Sequence, residues 1–333
     1  MPEKKKKARK NQLPELARSW ERALRAGVAT RRQKGKPASP YTIRNYLKTI
    51  RLLSAYLDEH ELPATVKKIR GEDLADWLAD TTDTTSPGNA AHHYRNLVAF
   101  WAWAVETEKM VAPGKNPMLE VHAPHQDRIK RPPLTQEQVA AMLKACSGRS
   151  FLDLRDAAII RILADTGMRL SGLVGMTYDP DFPSIDNDGR NDVFLDHQPP
   201  LVRIRIKGGQ SHLVDIGRKT EIALDRYVRK RSTLRHAYLP QLWLGRGGHP
   251  FGRQGVQMVL KKRAEQAGIK ERIHPHRFRR SMATWHLDAD GSRDTLKARA
   301  GWSSDDMINL YVSESRDRLA WKESQKLGVA DRI

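Results

Sequence analysis

Cysteine occurs once, at Cys146, so the 333-residue chain holds no intramolecular disulfide and no cysteine-built zinc site, which suits a reducing compartment. Thiol catalysis lacks support too, because Lys144, Ala145 and Ser147 beside it offer no base; a buried core thiol is expected. Long apolar runs are missing. The longest, residues 97–105, spans nine positions, about half of the roughly 18 needed to cross a bilayer, and the basic N-terminus leads into no apolar segment. Neither membrane spanning nor secretion is expected. Acidic residues are outnumbered, 39 against 59 Lys and Arg, which leaves a formal net charge of +20. Such a chain seeks polyanions, and nucleic acid leads its possible partners. Hydrophobic residues make up only 39%, yet charges of both signs at 29% argue for a folded, soluble protein rather than wholesale disorder. The length fits two domains.

Residues 4–10 hold six cations without apolar periodicity and read as a basic arm, residues 1–12. Four helical patterns follow, over 13–26, 40–60, 71–80 and 90–110, with no convincing strand. Ser39 before Pro40 is an N-cap followed by a proline at the first helical position. In the fourth pattern Leu97, Phe100, Trp101 and Val105 share an inner side, which favours a core over a base-stacking surface. Residues 13–120 thus form one helical domain. Residues 121–133, VHAPHQDRIKRPP, carry three prolines and no period, the marks of a linker. Thr135 and Gln138 then make a capping box that opens a mixed helix and strand domain, residues 134–333.

Five features of that domain carry chemistry. A helix over 156–165 stops at Thr166 and Gly167, and Arg169 precedes Ser171, the expected cap of the next helix; a guanidinium there suits a phosphate. Val202, Ile204 and Ile206 alternate with Arg203, Arg205 and Lys207, so a strand is expected to end in a Gly208-Gly209 hairpin with Lys207 on its cationic face. His276, Arg279 and Arg280 fall at i, i+3 and i+4 on the outer face of a helix whose Phe278, Met282 and Trp285 face inward. No Asp, Glu or Cys completes a metal set beside His274 and His276. Finally Gly301-Trp302-Ser303-Ser304 precedes a helix with Met307, Leu310 and Tyr311 on its inner stripe. A helix over 253–266 with Lys261, Lys262 and Arg263 outward is a candidate for base contacts.

In order, Arg169, Lys207, His276-x-x-Arg279, Trp302 and Tyr311 resemble the signature of the tyrosine recombinase (phage integrase) family. The resemblance implies a fold: an all-α, SAM-like helical bundle as core-binding domain, then a mixed α+β catalytic domain. It also implies roles. Tyr311 would attack the scissile phosphate to form a 3′-phosphotyrosyl bond, with His276 accepting its proton. Arg169 and Arg279 would clamp the non-bridging oxygens, Lys207 would protonate the leaving 5′-oxygen, and Trp302 would buttress the nucleophile's helix or donate its indole N–H. No cofactor or metal is implied. The implied partners are double-stranded DNA, a homotetramer assembled on two DNA sites, and accessory directionality proteins; the implied location is the cytoplasm, at the nucleoid. Integration or excision of a mobile element and resolution of DNA dimers share this chemistry. A type IB topoisomerase and a non-catalytic DNA-binding protein are the alternatives of other classes. Residues 318–327 read as a short amphipathic tail, which in resembling proteins docks on a neighbouring protomer; packing on its own domain is the equal alternative. Two positions depart from the family pattern: Gly172 stands where an acidic residue is common, leaving Asp165 to orient Arg169, and Arg280 replaces a second histidine.

Overall fold

A computed structural model describes residues 12–29, 35–125, 132–205 and 210–302, with residues 305, 308–309, 320–321 and 324–328 beyond them. Residues 1–11, the linker positions 126–131, Lys207, Ser303, Ser304, Met307, Leu310, Tyr311 and Leu319 lie outside the described residues. The chain splits into two compact units, Met1–Ile129 and Lys130–Ile333.

The first unit is built from α1 (Leu13–Ala26), α2 (Pro40–Glu59), α3 (Gly71–Thr84) and α4 (Pro87–Glu106), followed by two short 3-10 turns. Ser39 caps α2 by accepting a bond from Thr42 N, with Pro40 at the first helical position. Two helices differ from their expected spans. Helix α3 runs on to Thr84, and Thr82, Thr84 and Thr85 each donate a hydroxyl to the carbonyl four residues earlier. Helix α4 starts at Pro87, capped by Ser86, and ends at Glu106, before Lys109 adopts a left-handed φ of 50°. The aromatic cluster is core: Trp20, Phe100, Trp101 and Trp103 are fully buried, and Trp20 stacks on Tyr46 with centroids 4.8 Å apart. One histidine is buried with them. His93 bonds Thr49 Oγ1 at 2.8 Å, and burial, aided by His92 and Lys48, pushes its pKa down to about 4.

The second unit is helix-rich with a small sheet. Helices α5 (Gln136–Lys144), α6 (Phe151–Thr166) and α7 (Leu170–Val174) lead into strands β1 (Val193–Phe194), β2 (Leu201–Arg205) and β3 (Ser211–Asp215), after which come α8 (Arg218–Ser232), α9 (Arg253–Gln266), α10 (Pro275–Asp288) and α11 (Arg293–Ala300). The strands are antiparallel in the order β1-β2-β3, with Val202 opposite Val214. Thr135 and Gln138 form the capping box of α5. Helix α6 is the spine: Ala158, Ile159, Ile160, Ile162 and Leu163 are all fully buried, so neighbours cover it on more than one side. Cys146 joins this core, and burial pushes its thiol up to about 12.

Some cations expected on the surface reach buried carboxylates instead, whereas Lys261, Lys262 and Arg205 are exposed as expected. Arg263 is not outward: with Val256, Val259, Leu260 and Ala264 it lies on the inner stripe of α9, only 4% exposed, and donates to Asp156 and Asp153. On β2, Val202 and Ile204 do face the core, but Arg203 and Arg205 turn to the fully buried Asp192, at 3.7 and 3.0 Å. Arg205 also donates to Gly189 O at 2.6 Å. These guanidiniums anchor the loop before β1 rather than lining a phosphate track. Among the described residues, no helix is long and apolar enough to cross a membrane.

Candidate active site

The site is built where helix ends meet. At the close of α6, Gly167 takes a left-handed φ of 57°, and a Cβ there would stand 2.6 Å from Met282 Cε and 3.2 Å from Arg279 Cα. The turn buries Met168 and throws Arg169 outward. Arg169 itself, not Ser171, is the N-cap of α7, and its side chain makes no capping bond. Among the described residues its guanidinium meets no hydrogen-bond or ion-pair partner, so it is free to bind an anion.

Helix α10 supplies the second pair. Pro275 starts it, which leaves His276 on the exposed first turn. Arg279, one turn on, departs from expectation, because it is buried to 3% exposure rather than outward with His276. Its Nη1 donates to Gly167 O at 3.0 Å and its Nη2 to Ala300 O at 2.8 Å, while its guanidinium carbon lies 5.0 Å from the Trp302 ring centroid. Carbonyls at two helix C-termini and an aromatic face thus fix one fork. His276 is held below its ordinary pKa, first by crowding that withdraws water, then by the charges of Arg279, Arg280 and Arg169. A cavity of about 400 Å³ is lined by Arg169, His276 and Arg279, together with Gln257 and His274.

Trp302 is 6% exposed and packs with Met282, Leu287, Leu296 and Ile308 in a small cluster under α11. Asp165 does not orient Arg169. Its carboxylate accepts from Gly217 N at 2.7 Å and from Arg299 Nη2 at 3.2 Å. Gly172 packs against β2, where a Cβ would stand 3.3 Å from Arg205 O, so a larger side chain crowds the strand. Lys207 and Tyr311 lie outside the described residues, so the structure brings together Arg169, His276, Arg279 and Trp302 of the six. Sequence reading missed the carbonyls of Gly167 and Ala300, because a backbone acceptor leaves no residue-type signal. It missed Gln257 and Arg299 as well. A larger hollow of about 840 Å³ beside α5, α6 and α8 is cationic, but Cys146, with its raised pKa, is no ready nucleophile there. Among the described residues, no group of three His, Cys, Asp or Glu is placed to hold a metal ion. What the cavity can do is bind a dianionic or monoanionic phosphate between two guanidiniums with a neutral imidazole beside it.

The sequence profile of the Phage integrase family matches residues 132–318. Tyrosine recombinase XerC of Chromobacterium violaceum is 28% identical over 283 residues, 85% of this chain and 87% of its own. Tyrosine recombinase XerD of Mycobacterium leprae is 32% identical over 189 residues, 54% of this chain and 55% of its own. Among solved structures, the post-cleavage complex of the XerH site-specific recombinase with its palindromic difH substrate has a TM-score of 0.70 at 15% identity, covering 95% of this chain and 97% of that one. A lambda integrase tetramer bound to a Holliday junction has a TM-score of 0.65 at 15% identity, covering 92% and 80%.

Proposed function

The chain belongs to the phage integrase family, and from that membership we propose that it is a site-specific tyrosine recombinase whose catalytic set is Arg169, Lys207, His276, Arg279, Trp302 and Tyr311. Enzymes of this family break and rejoin DNA. Tyr311 Oη attacks the scissile phosphorus, forming the P–O bond to tyrosine and breaking the bond to the 5′-oxygen. His276 takes the phenolic proton, a role that requires the neutral imidazole its lowered pKa favours. Lys207 gives a proton to the departing 5′-oxygen. Arg169 and Arg279 hold the non-bridging oxygens, where charge grows as the phosphorus becomes five-coordinate; fixed donors there contribute several kcal/mol, on the order of 3 each. Because the phosphotyrosyl bond keeps the energy of the one it replaced, attack by a 5′-hydroxyl of another strand reverses the step without ATP.

The observation that carries this reading is the single cavity lined by Arg169, His276 and Arg279. The first unit is assigned as core-binding domain, residues 13–120, joined by a linker over 121–133 to the catalytic domain. The assembly is a homotetramer on two double-stranded DNA sites, aided by accessory directionality proteins, at the nucleoid in the cytoplasm; the net charge of +20 supports the DNA contact. Integration or excision of a mobile element is the first biological role. Resolution of DNA dimers is the second, favoured by likeness to XerC and XerD proteins over most of the chain.

The test uses a nicked suicide substrate from sequences flanking the gene, with metal chelated. A 3′-linked covalent adduct that vanishes in Tyr311→Phe is expected. DNA binding without adduct on any candidate site would favour the non-catalytic reading, and an adduct surviving Tyr311→Phe would remove the nucleophile assignment.

A further inference from the structure

Arg299 is the second-last residue of α11, and its side chain is drawn to two carboxylates from different elements. Nη1 meets Asp215 Oδ1 at the end of β3 at 2.5 Å, and Nη2 meets Asp165 Oδ1 near the end of α6 at 3.2 Å. The network closes on the backbone. Asp165 Oδ2 accepts from Gly217 N at 2.7 Å, Arg299 Nη2 reaches Asp215 O at 3.3 Å, and the His212 ring on β3 lies 3.3 Å from Arg299 O. Position along the chain gives this network its meaning. Asp165 stands two residues before Gly167, and Arg299 one residue before Ala300. Gly167 O and Ala300 O are the two backbone acceptors that hold the Arg279 guanidinium. The Asp165–Arg299 pair therefore fixes the spacing of the carbonyls that aim Arg279, and the Asp215 arm ties the same point to the strand that follows Lys207.

We propose that Arg299, gripped by Asp165 and Asp215, is a positioning residue that sets the Arg279 fork against the scissile phosphate. The proposal rests on the recombinase reading above. A structural role alone explains the network less well. Leu296, Ala300 and Trp302 already bury the inner side of α11, and the Arg299–Asp215 pair, with side chains 24% and 52% exposed, adds little to stability; the Arg299–Asp165 pair, at 24% and 19%, is the more buried of the two. Geometry is where they act: a fork displaced by about 1 Å from its productive position costs on the order of a hundredfold in rate.

The experiment compares wild type, Arg299→Gln, Arg299→Lys, Asp165→Asn and Tyr311→Phe in single-turnover adduct formation at saturating nicked DNA, with DNA affinity and melting temperature measured on the same preparations. Arg299→Gln and Asp165→Asn are expected to slow adduct formation by about tenfold or more. DNA affinity should stay within about threefold, and Arg299→Lys should recover part of the rate by keeping a point charge between the carboxylates. An adduct rate equal to wild type in Arg299→Gln, or a loss accounted for wholly by weaker binding or melting, would overturn the proposal. If Arg299→Gln does not fold, Arg299→Lys and Asp165→Asn decide it by the same criteria. Absence of a Tyr311-dependent adduct in wild type overturns the recombinase reading itself; a normal wild-type adduct with unaffected variants overturns only the role of Arg299.

Discussion

The Arg279 guanidinium sits over the Trp302 ring, 5.0 Å from its centroid, while Trp302 is itself 6% exposed. The indole thus does two jobs at once: it fills the small cluster under α11 and it supports the fork from beneath. Truncation separates them. Trp302→Ala removes a buried ring and should destabilise the unit by about 3–5 kcal/mol, read as a lower denaturant midpoint. Trp302→Phe keeps an aromatic face and should cost less stability while holding more of the adduct rate. Equal rates for Ala and Phe, measured below both melting temperatures, would show that the ring only packs.

His276 predicts an acid limb in the pH profile of cleavage. Its pKa is lowered by crowding and by three guanidiniums, so the neutral, proton-accepting form persists below the ordinary value of about 6.5. Single-turnover rates should therefore fall with an apparent midpoint under about 6.5. Arg280→Gln withdraws one of the positive neighbours and should move that midpoint upward, toward the ordinary value. A limb that ignores Arg280→Gln, or that survives in His276→Gln, would point to another titrating group. The linkage has the same direction: below about pH 6.5 the unfolded chain takes up a proton that the folded site resists, so this group costs stability as the pH drops.

How much of this was legible in the sequence depends on what a residue type announces. Helix starts were legible because Ser39, Pro40, Thr135 and Gln138 act locally, through bonds within four residues. Strand β2 was legible from its period of two, whereas the expected turn at Gly208 and Gly209 lies outside the described residues. Helix α8 escaped notice, since its basic sequence obscures the buried Leu224, Tyr227 and Val228. Arg263 and Arg203 misled for a related reason. A cation was read as outward, yet a buried carboxylate far along the chain can draw it in, and Asp156 lies 107 residues from Arg263. The depth of Arg279 was hidden likewise, since its acceptors are carbonyls from two other helices.

Asp156 sits where that long-range pairing is most demanding. It is 2% exposed and accepts from Arg155 at 3.1 and 2.7 Å and from Arg263 at 2.9 and 2.7 Å, so one carboxylate faces two buried guanidiniums. Asp153 adds a contact to Arg263 at 2.8 Å, whereas among the described residues Arg155 has besides only the Leu244 carbonyl, at 3.1 Å, and the face of the Phe251 ring. Asp156→Ala leaves Arg155 buried without a counter-charge and should cost about 3–5 kcal/mol. Arg263→Met is the milder change: Asp156 Oδ2 loses its two donors, but the carboxylate keeps the Arg155 counter-charge on Oδ1 and the methionine fills the inner stripe of α9. Urea unfolding should place Asp156→Ala well below Arg263→Met, with m little changed between them. The reverse order would mean that the Arg263 bonds to Asp153 and Ala145 O, rather than neutralisation of Arg155, hold α9 to α6 and to the end of α5.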